Sequence, residues 1–455
     1  MSNPTLNISK RQPRRWLLGI DHLYRIKTGQ LYFYKKLEAD YGDVVRLQLG
    51  PYRTWLFFHP DPIEDLLTRQ SKNFIRFKKL TDVVRQWNGD SLLLAEGEAW
   101  RVRRRKVLPA FKTKRLPFYG EAAVQHATRF CRTLEQHTED SEEGGQATID
   151  TDASMAQLTL DIATTTLFGS EPLHNGADIE RAIQVLSDTA FRESTSPFTL
   201  PDRLPLKAKK KKLWAMKIMD EMVTGLVSAR LDEISQGGRS DRGDLLSVLV
   251  EHHEGDLLSI RNDSMSLLIA GHETSGALQS WIFALLAQHP DALKTLASEL
   301  DTVLQGQPPC FADLKQLTYL RAVVEESLRL YPPAYALFTR CAESDVSLSG
   351  VKIKKGDNIQ IVPFTLHRSE RWFKEAEKFD PTRFLHDPSW PKYAYLPFGA
   401  GPRVCIGQNF GMMEACLVSA TVLQQWHPVK VGQIEPEAKF SLRPKGGLPM
   451  TWVKR

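Results

Sequence analysis

The alternation of apolar and polar residues along the chain predicts its elements. Between Asp40 and Pro60 the apolar residues of DVVRLQLGPYRTWLFF alternate or cluster between Gly and Pro, which predicts a β-hairpin. Residues 346–364 predict further strand, with turns at Gly350 and Gly356. Most of the remainder has helical periodicity. The clearest helix runs from about Leu257 to His289 and stops before Pro290. Its centre, SLLIAGHETSGALQSWIFALLA, is apolar nearly all round, so the helix is expected inside the core. A second spans about Leu317 to Tyr331, with Leu320, Val323, Val324 and Leu328 on one stripe, and stops before Pro332 and Pro333. A third is expected to start near Cys405 and to continue through GMMEACLVSATVLQQW. No internal repeat, low-complexity tract or linker interrupts the pattern. The expectation is a loose, polar and basic tail over residues 1–15, then a single mixed, mostly α domain over 16–455.

Composition narrows the function. The 455 residues are 42% hydrophobic and 25% charged, as in an ordinary globular protein. A net charge of +6 is mild, and the basic runs are short and separate, so nucleic acid is not an expected partner. The longest such run, KAKKKK from Lys207 to Lys212, reads as a solvated loop. Attraction of a carboxylate or an anionic membrane is its sharper alternative. Five cysteines, an odd number without a CxxC pair, fit neither a disulfide framework nor a zinc knuckle. They favour a reducing, cytoplasmic compartment. The longest apolar run near the N-terminus, residues 16–18, is far too short to span a membrane, and no later run does so without charges. A soluble chain, at most peripheral to a membrane, is expected.

Two stretches carry chemistry. In YLPFGAGPRVCIGQNF, glycines and a proline surround one cysteine, Cys405, expected to open a helix. A sulfur there would face the positive end of the helix dipole and free backbone N–H groups. Glycines would let the backbone approach a flat macrocycle closely. A buried structural cysteine is the plain alternative. A dinucleotide loop is excluded, because Val404 stands where the third glycine belongs. In AGHETS, Glu273 and Thr274 interrupt the apolar helix. Burying a carboxylate costs several kcal/mol unless it is paired or solvated. A structural account has Thr274 bonding back to the preceding turn and Glu273 facing an arginine. The zinc motif HExxH fails at Gly276.

Together these residues resemble the cytochrome P-450 family. Phe398, Gly401, Arg403, Cys405 and Gly407 match its FxxGxRxCxG signature at every fixed position. The run from Ala270 to Ser275 resembles its oxygen-activation motif. Glu326 and Arg329, three apart on a helix, are similar to its ExxR pair, joined by Arg383 of FDPTRF; without the resemblance they read as a surface ion pair. Trp100 and Arg104 resemble its WxxxR helix. The resemblance implies a triangular, mostly α-helical domain with a small β-rich lobe, enclosing haem b (iron protoporphyrin IX). It makes Cys405 the iron ligand and gives Trp100, Arg101, Arg104, Arg340, Phe398 and Arg403 to the haem, Arg101 as a second candidate beside Arg104. It makes Glu273 and Thr274 the proton-delivering pair and leaves room for a ligand at Gly271. The triad Glu326, Arg329 and Arg383 is structural. Leu93, Leu267, Ala270, Ala334, Ala336 and Leu337 are expected to line an apolar substrate pocket.

The implied reaction is monooxygenation: one atom of O2 enters a C–H bond. Electrons are expected from NAD(P)H through a separate ferredoxin and ferredoxin reductase, as the chain ends about fifty residues past Cys405 with no fused redox domain. Likeness of the two motifs to fatty-acid-hydroxylating branches points to a fatty acid or similar lipid. A terpenoid or steroid is the alternative. A peroxide-using peroxygenase and a haem-based sensor are remoter ones, and the Glu273–Thr274 pair argues against the first.

Overall fold

The computed structural model describes residues 6–8, 12, 13, 19–139, 145–170, 176–196, 198–239, 241–432 and 434–455. Its regular structure begins with α1 (Ile20–Tyr41) and the expected hairpin, β1 (Val44–Leu49) and β2 (Tyr52–Phe57). Leu49 faces Tyr52 across the tight turn at Gly50 and Pro51. After α2 (Pro60–Glu64) come β3 (Phe74–Arg76), α3 (Lys78–Asn88), α4 (Gly97–Val107), α5 (Leu116–Glu139) and β4 (Gln146–Asp150). The Asp150 carboxylate then accepts from the first backbone N–H groups of α6 (Thr151–Phe168), a side-chain cap that fixes where the helix starts. Next are α7 (Gly176–Thr195), α8 (Lys207–Ser235) and α9 (Leu245–His252), the last capped by Asp244.

The long apolar segment forms α10 (Leu257–Gln288), which gives way to α11 (Pro290–Leu304) at the expected proline. It is buried over most of its length and packs along α6. The helix α12 (Thr318–Leu330) stops ahead of the double proline. Short strands follow: β5 (Arg340–Ala342), β6 (Val346–Leu348), β7 (Val351–Ile353) and β8 (Asn358–Ile361), then α13 (Pro363–Leu366). The strand expected to reach residue 364 therefore ends early, because Pro363 starts a helical turn. The chain closes with α14 (Gln408–Leu423), β9 (Trp426–Val431), β10 (Pro436–Ala438), β11 (Leu442–Pro444) and β12 (Pro449–Lys454).

The largest sheet has the order β1-β2-β8-β5-β3, parallel only between β2 and β8. Helices dominate the rest, so the architecture is mostly α with a small β-rich lobe. Among the described residues no helix is long and apolar enough to cross a membrane.

Three expectations need correction. Of the expected loose tail, residues 1–5, 9–11, 14 and 15 lie outside the described residues, but Asn7 donates to Asp43 and Gln12 accepts from the Arg46 N–H of β1. Cys405 does not open α14 but lies three residues ahead of it. The lysine run is no solvated loop. It forms the first turns of α8, where Lys209 and Lys212, spaced i, i+3, share one face. Lys212 is 0% exposed and donates to Gln86 at 2.6 Å, Asp202 at 2.7 Å and Glu193 at 3.1 Å. Lys209 reaches Glu193 at 2.5 Å and Asp202 at 2.7 Å. The run thus ties α8 to α7, to the loop between them and to α3.

Candidate active site

A cavity of about 990 Å³ brings the two chemical stretches together. Cys405 lines it with Ala270, Gly271 and Thr274 of α10. The cysteine loop is held by its backbone. The Cys405 N–H donates to the Phe398 carbonyl at 3.0 Å. Gly401 adopts φ +72°, and a Cβ there would meet the Leu67 carbonyl oxygen at 1.9 Å, so no other residue fits. Cys405 is exposed where it lines the cavity. Desolvation by the surrounding protein pushes the Cys405 thiol up, while the Gly407 N–H and the Arg104 guanidinium pull it down.

Five arginines line the same cavity, and four of them, Arg76, Arg104, Arg340 and Arg403, act on one another or on the cysteine loop. Arg76 in β3 stands directly across the ladder from Arg340 in β5. Like charges in that register are destabilising unless something neutralises them. Burial, with Arg403 next, lowers Arg340 to about 10, and burial, with Arg403 and Arg340, pushes Arg76 well down. Glu96 is the carboxylate that answers them. It pairs with Arg403, and stands 3.9 Å from Arg76. Arg76 Nε and Nη1 are buried without a hydrogen-bond partner among the described residues. Arg403 also donates to the Ala95 carbonyl and stacks over Trp100 at 4.5 Å, and Arg104 donates to the Val404 carbonyl at 3.0 Å. Surplus buried cation beside a cavity-lining thiol fits an anionic, iron-bearing macrocycle, whose carboxylates would meet the arginines and whose metal would meet the sulfur.

The sequence placed Arg340 and Arg403 here but missed Arg76. The available signal was a lone Arg inside the apolar strand run FIRF. Arg101 is a correction in the other direction. Its side chain is 59% exposed, pairs with Glu98 at 2.9 Å and lies outside the cavity lining. Trp100, Phe398 and all six expected pocket residues, Leu93, Leu267, Ala270, Ala334, Ala336 and Leu337, do line it.

Thr274 faces the cavity, and its hydroxyl donates to the Ala270 carbonyl at 2.7 Å, the back-bond that the structural account foresaw. A side chain at Gly271 would meet nothing within 4 Å. Glu273 does not face the cavity. It is buried behind α10 and accepts from Ser187 at 2.6 Å and Ser441 at 3.1 Å. Two residues farther along, Ser275 donates to Glu414 of α14 at 2.7 Å, stitching the two helices that flank the cavity.

Glu326 and Arg329 are both 0% exposed, although they lie opposite the apolar stripe of α12. Arg329 chelates Glu326 at 2.6 and 2.8 Å and donates to the carbonyls of His367, Ala376 and Lys378. Arg383 reaches Glu326 at 3.2 Å. The triad therefore fixes the segment ahead of the cysteine loop, and the surface-pair alternative falls.

The chain resembles known proteins over most of its length. The family model described as cytochrome P-450 matches residues 10–449. Cyclooctatin synthase of Streptomyces melanosporofaciens is 31% identical over 92% of this chain and 91% of its own. Cyclooctat-9-en-7-ol 5-monooxygenase of the same organism is 33% identical over 90% and 87%. Pentalenene oxygenase of Streptomyces avermitilis is 29% identical over 92% and 90%. A match of that reach, on a cavity that presents a thiol to surplus buried cation, leaves one conclusion: the chain belongs to the cytochrome P-450 family of haem monooxygenases.

Proposed function

We propose that this monooxygenase inserts one atom of O2 into a C–H bond of a cyclic terpenoid. The apolar wall carries the reading. Leu93, Leu267, Ala270, Ala334, Ala336 and Leu337 line one continuous cavity, which suits a hydrocarbon skeleton. The names of the relatives, with their cyclooctatin and pentalenene chemistry, favour a terpenoid over the fatty acid expected from motif likeness.

In this reading Cys405 is the iron ligand, and Arg76, Arg340 and Arg403, with Trp100 and Arg104, hold the propionates of haem b. When bound, the haem supplies the oxygen-activating iron, and a thiolate ligand favours O–O cleavage. Thr274 has its proton committed to Ala270, so its oxygen lone pairs accept from a water in the cavity. Glu273 is the acid that supplies protons from behind. The apolar wall keeps bulk water away from the reacting carbon. Electrons from NAD(P)H arrive through a separate ferredoxin and its reductase. Exposed Arg101, Arg105, Lys112 and Lys114, beside the cysteine loop, suit an acidic donor.

The test is a spin-state titration of the purified ferric protein with cyclic terpenoids and with saturated fatty acids. A low-to-high-spin shift is expected with at least one terpenoid. A shift with fatty acids alone overturns the reading.

A further inference from the structure

We propose that Ser187, on α7, is the hydroxyl through which Glu273 passes protons into the cavity. The inference rests on the reading of Glu273 as the proton source and adds the route. Glu273 lies off the cavity-lining face of α10, and its two carboxyl oxygens are taken by Ser187 and Ser441. Of these three residues only Ser187 lines the cavity. Thr274 is not the bridge, since its hydroxyl bonds Ala270 and not Glu273; Ser187 does bond Glu273, and once the carboxyl is protonated that bond can reverse. A serine hydroxyl both donates and accepts, so it can release its own proton inward while taking one from behind.

The transfer balances without electrons. The O–H bond of Ser187 gives its proton to a water in the cavity, and the carboxyl proton of Glu273 replaces it. Glu273, now a carboxylate, regains a proton from the side of Ser441. Ser441 is itself buried, and Lys439, two residues before it, is about half exposed and pairs with Asp188 at 3.8 Å. Two passages per turnover meet the demand of the monooxygenase reaction for two protons. The surroundings suit a carrier. Burial pushes the Glu273 carboxyl up, Ser187, Arg443 and Ser441 pull it down, and Asp188 adds to the rise.

The experiment compares haem-loaded wild type with Ser187→Ala, Ser187→Thr and Glu273→Gln. Each is supplied with NADPH, a ferredoxin, its reductase and O2, and no organic substrate is added. NADPH consumption and its solvent deuterium isotope effect are measured, together with the infrared carbonyl band that Glu273→Gln abolishes. The expectation is that Ser187→Ala and Glu273→Gln each slow consumption at least about tenfold and change the isotope effect. Ser187→Thr restores both, and the Glu273 band moves in Ser187→Ala. Wild-type consumption and isotope effect in Ser187→Ala, with Glu273→Gln slow, overturns the relay alone. If neither variant is slowed, the reading of Glu273 itself fails. Should Ser187→Ala not retain haem, Ser187→Thr against the isosteric Ser187→Val decides, and equal rates overturn the proposal.

Discussion

Replacing Glu414 with glutamine should stabilise the protein at neutral and alkaline pH. Glu414 is 2% exposed on α14, and its hydrogen-bond donor is Ser275 of α10 at 2.7 Å. Burial lifts its carboxyl from 4.5 to about 8, against a smaller pull from Ser275. Between those limits the folded chain holds a proton that the unfolded chain has released, so stability falls as pH rises. It is fully present below about 4.5 and fully lost once pH passes about 8. The whole lift corresponds to roughly 5 kcal/mol, and the span from pH 5.5 to 8 to about 3 kcal/mol. The amide still accepts from Ser275 and never ionises, so Glu414→Gln loses this slope. Urea unfolding of both haem-loaded proteins across that span measures it. The variant should gain about 3 kcal/mol on the wild type by pH 8. Parallel stability curves would refute the reasoning, for they would mean that Glu414 ionises in the fold as it does in water.

Cys405→Ser should abolish the strongly red-shifted band of the reduced CO complex, and retention of that band sinks the ligand assignment. Arg76→Leu should act with opposite signs in two states: the haem-free protein gains stability as the Arg76–Arg340 repulsion goes, while haem loss to apomyoglobin speeds about 10- to 100-fold as charge-assisted bonds go. Equal haem-loss rates would remove Arg76 from the site. Arg329→Ala should cost at least about 3–5 kcal/mol, because it leaves Glu326 charged and enclosed. Arg329→Lys should not rescue it, as three donors cannot replace five bonds. The yield of soluble, haem-bearing protein reads both.

What was legible in the sequence is what neighbours in the sequence decide. The hairpin, α10 and α12 are set by alternation, by a 3.6-residue apolar period and by prolines that stop a helix, all of which act over a few residues. Arg76 was missed because its role comes from pairing with β5, far along the chain, and a lone Arg in FIRF marks it only weakly. The lysine run shows how composition misleads. Six residues with five cations count as a solvated face, yet helical spacing puts Lys209 and Lys212 on one side, toward Glu193 and Asp202. Charge number says nothing about burial until the partners are placed.

The acid of the oxygen motif illustrates a limit of reading adjacency as contact. Successive residues on an α-helix are turned by about 100° from each other. Leu267, Ala270, Gly271, Thr274 and Leu278 recur at helical spacing and line the cavity, whereas Glu273 does not line it. Here the acid next to a cavity-facing alcohol in the sequence is turned toward Ser187 and Ser441 instead. Protons from that position need a third group on another element, within bonding reach of the acid and open to the cavity. Ser187 meets both conditions from α7, which ties proton supply to the helix that also carries Glu193, the anchor of Lys209 and Lys212.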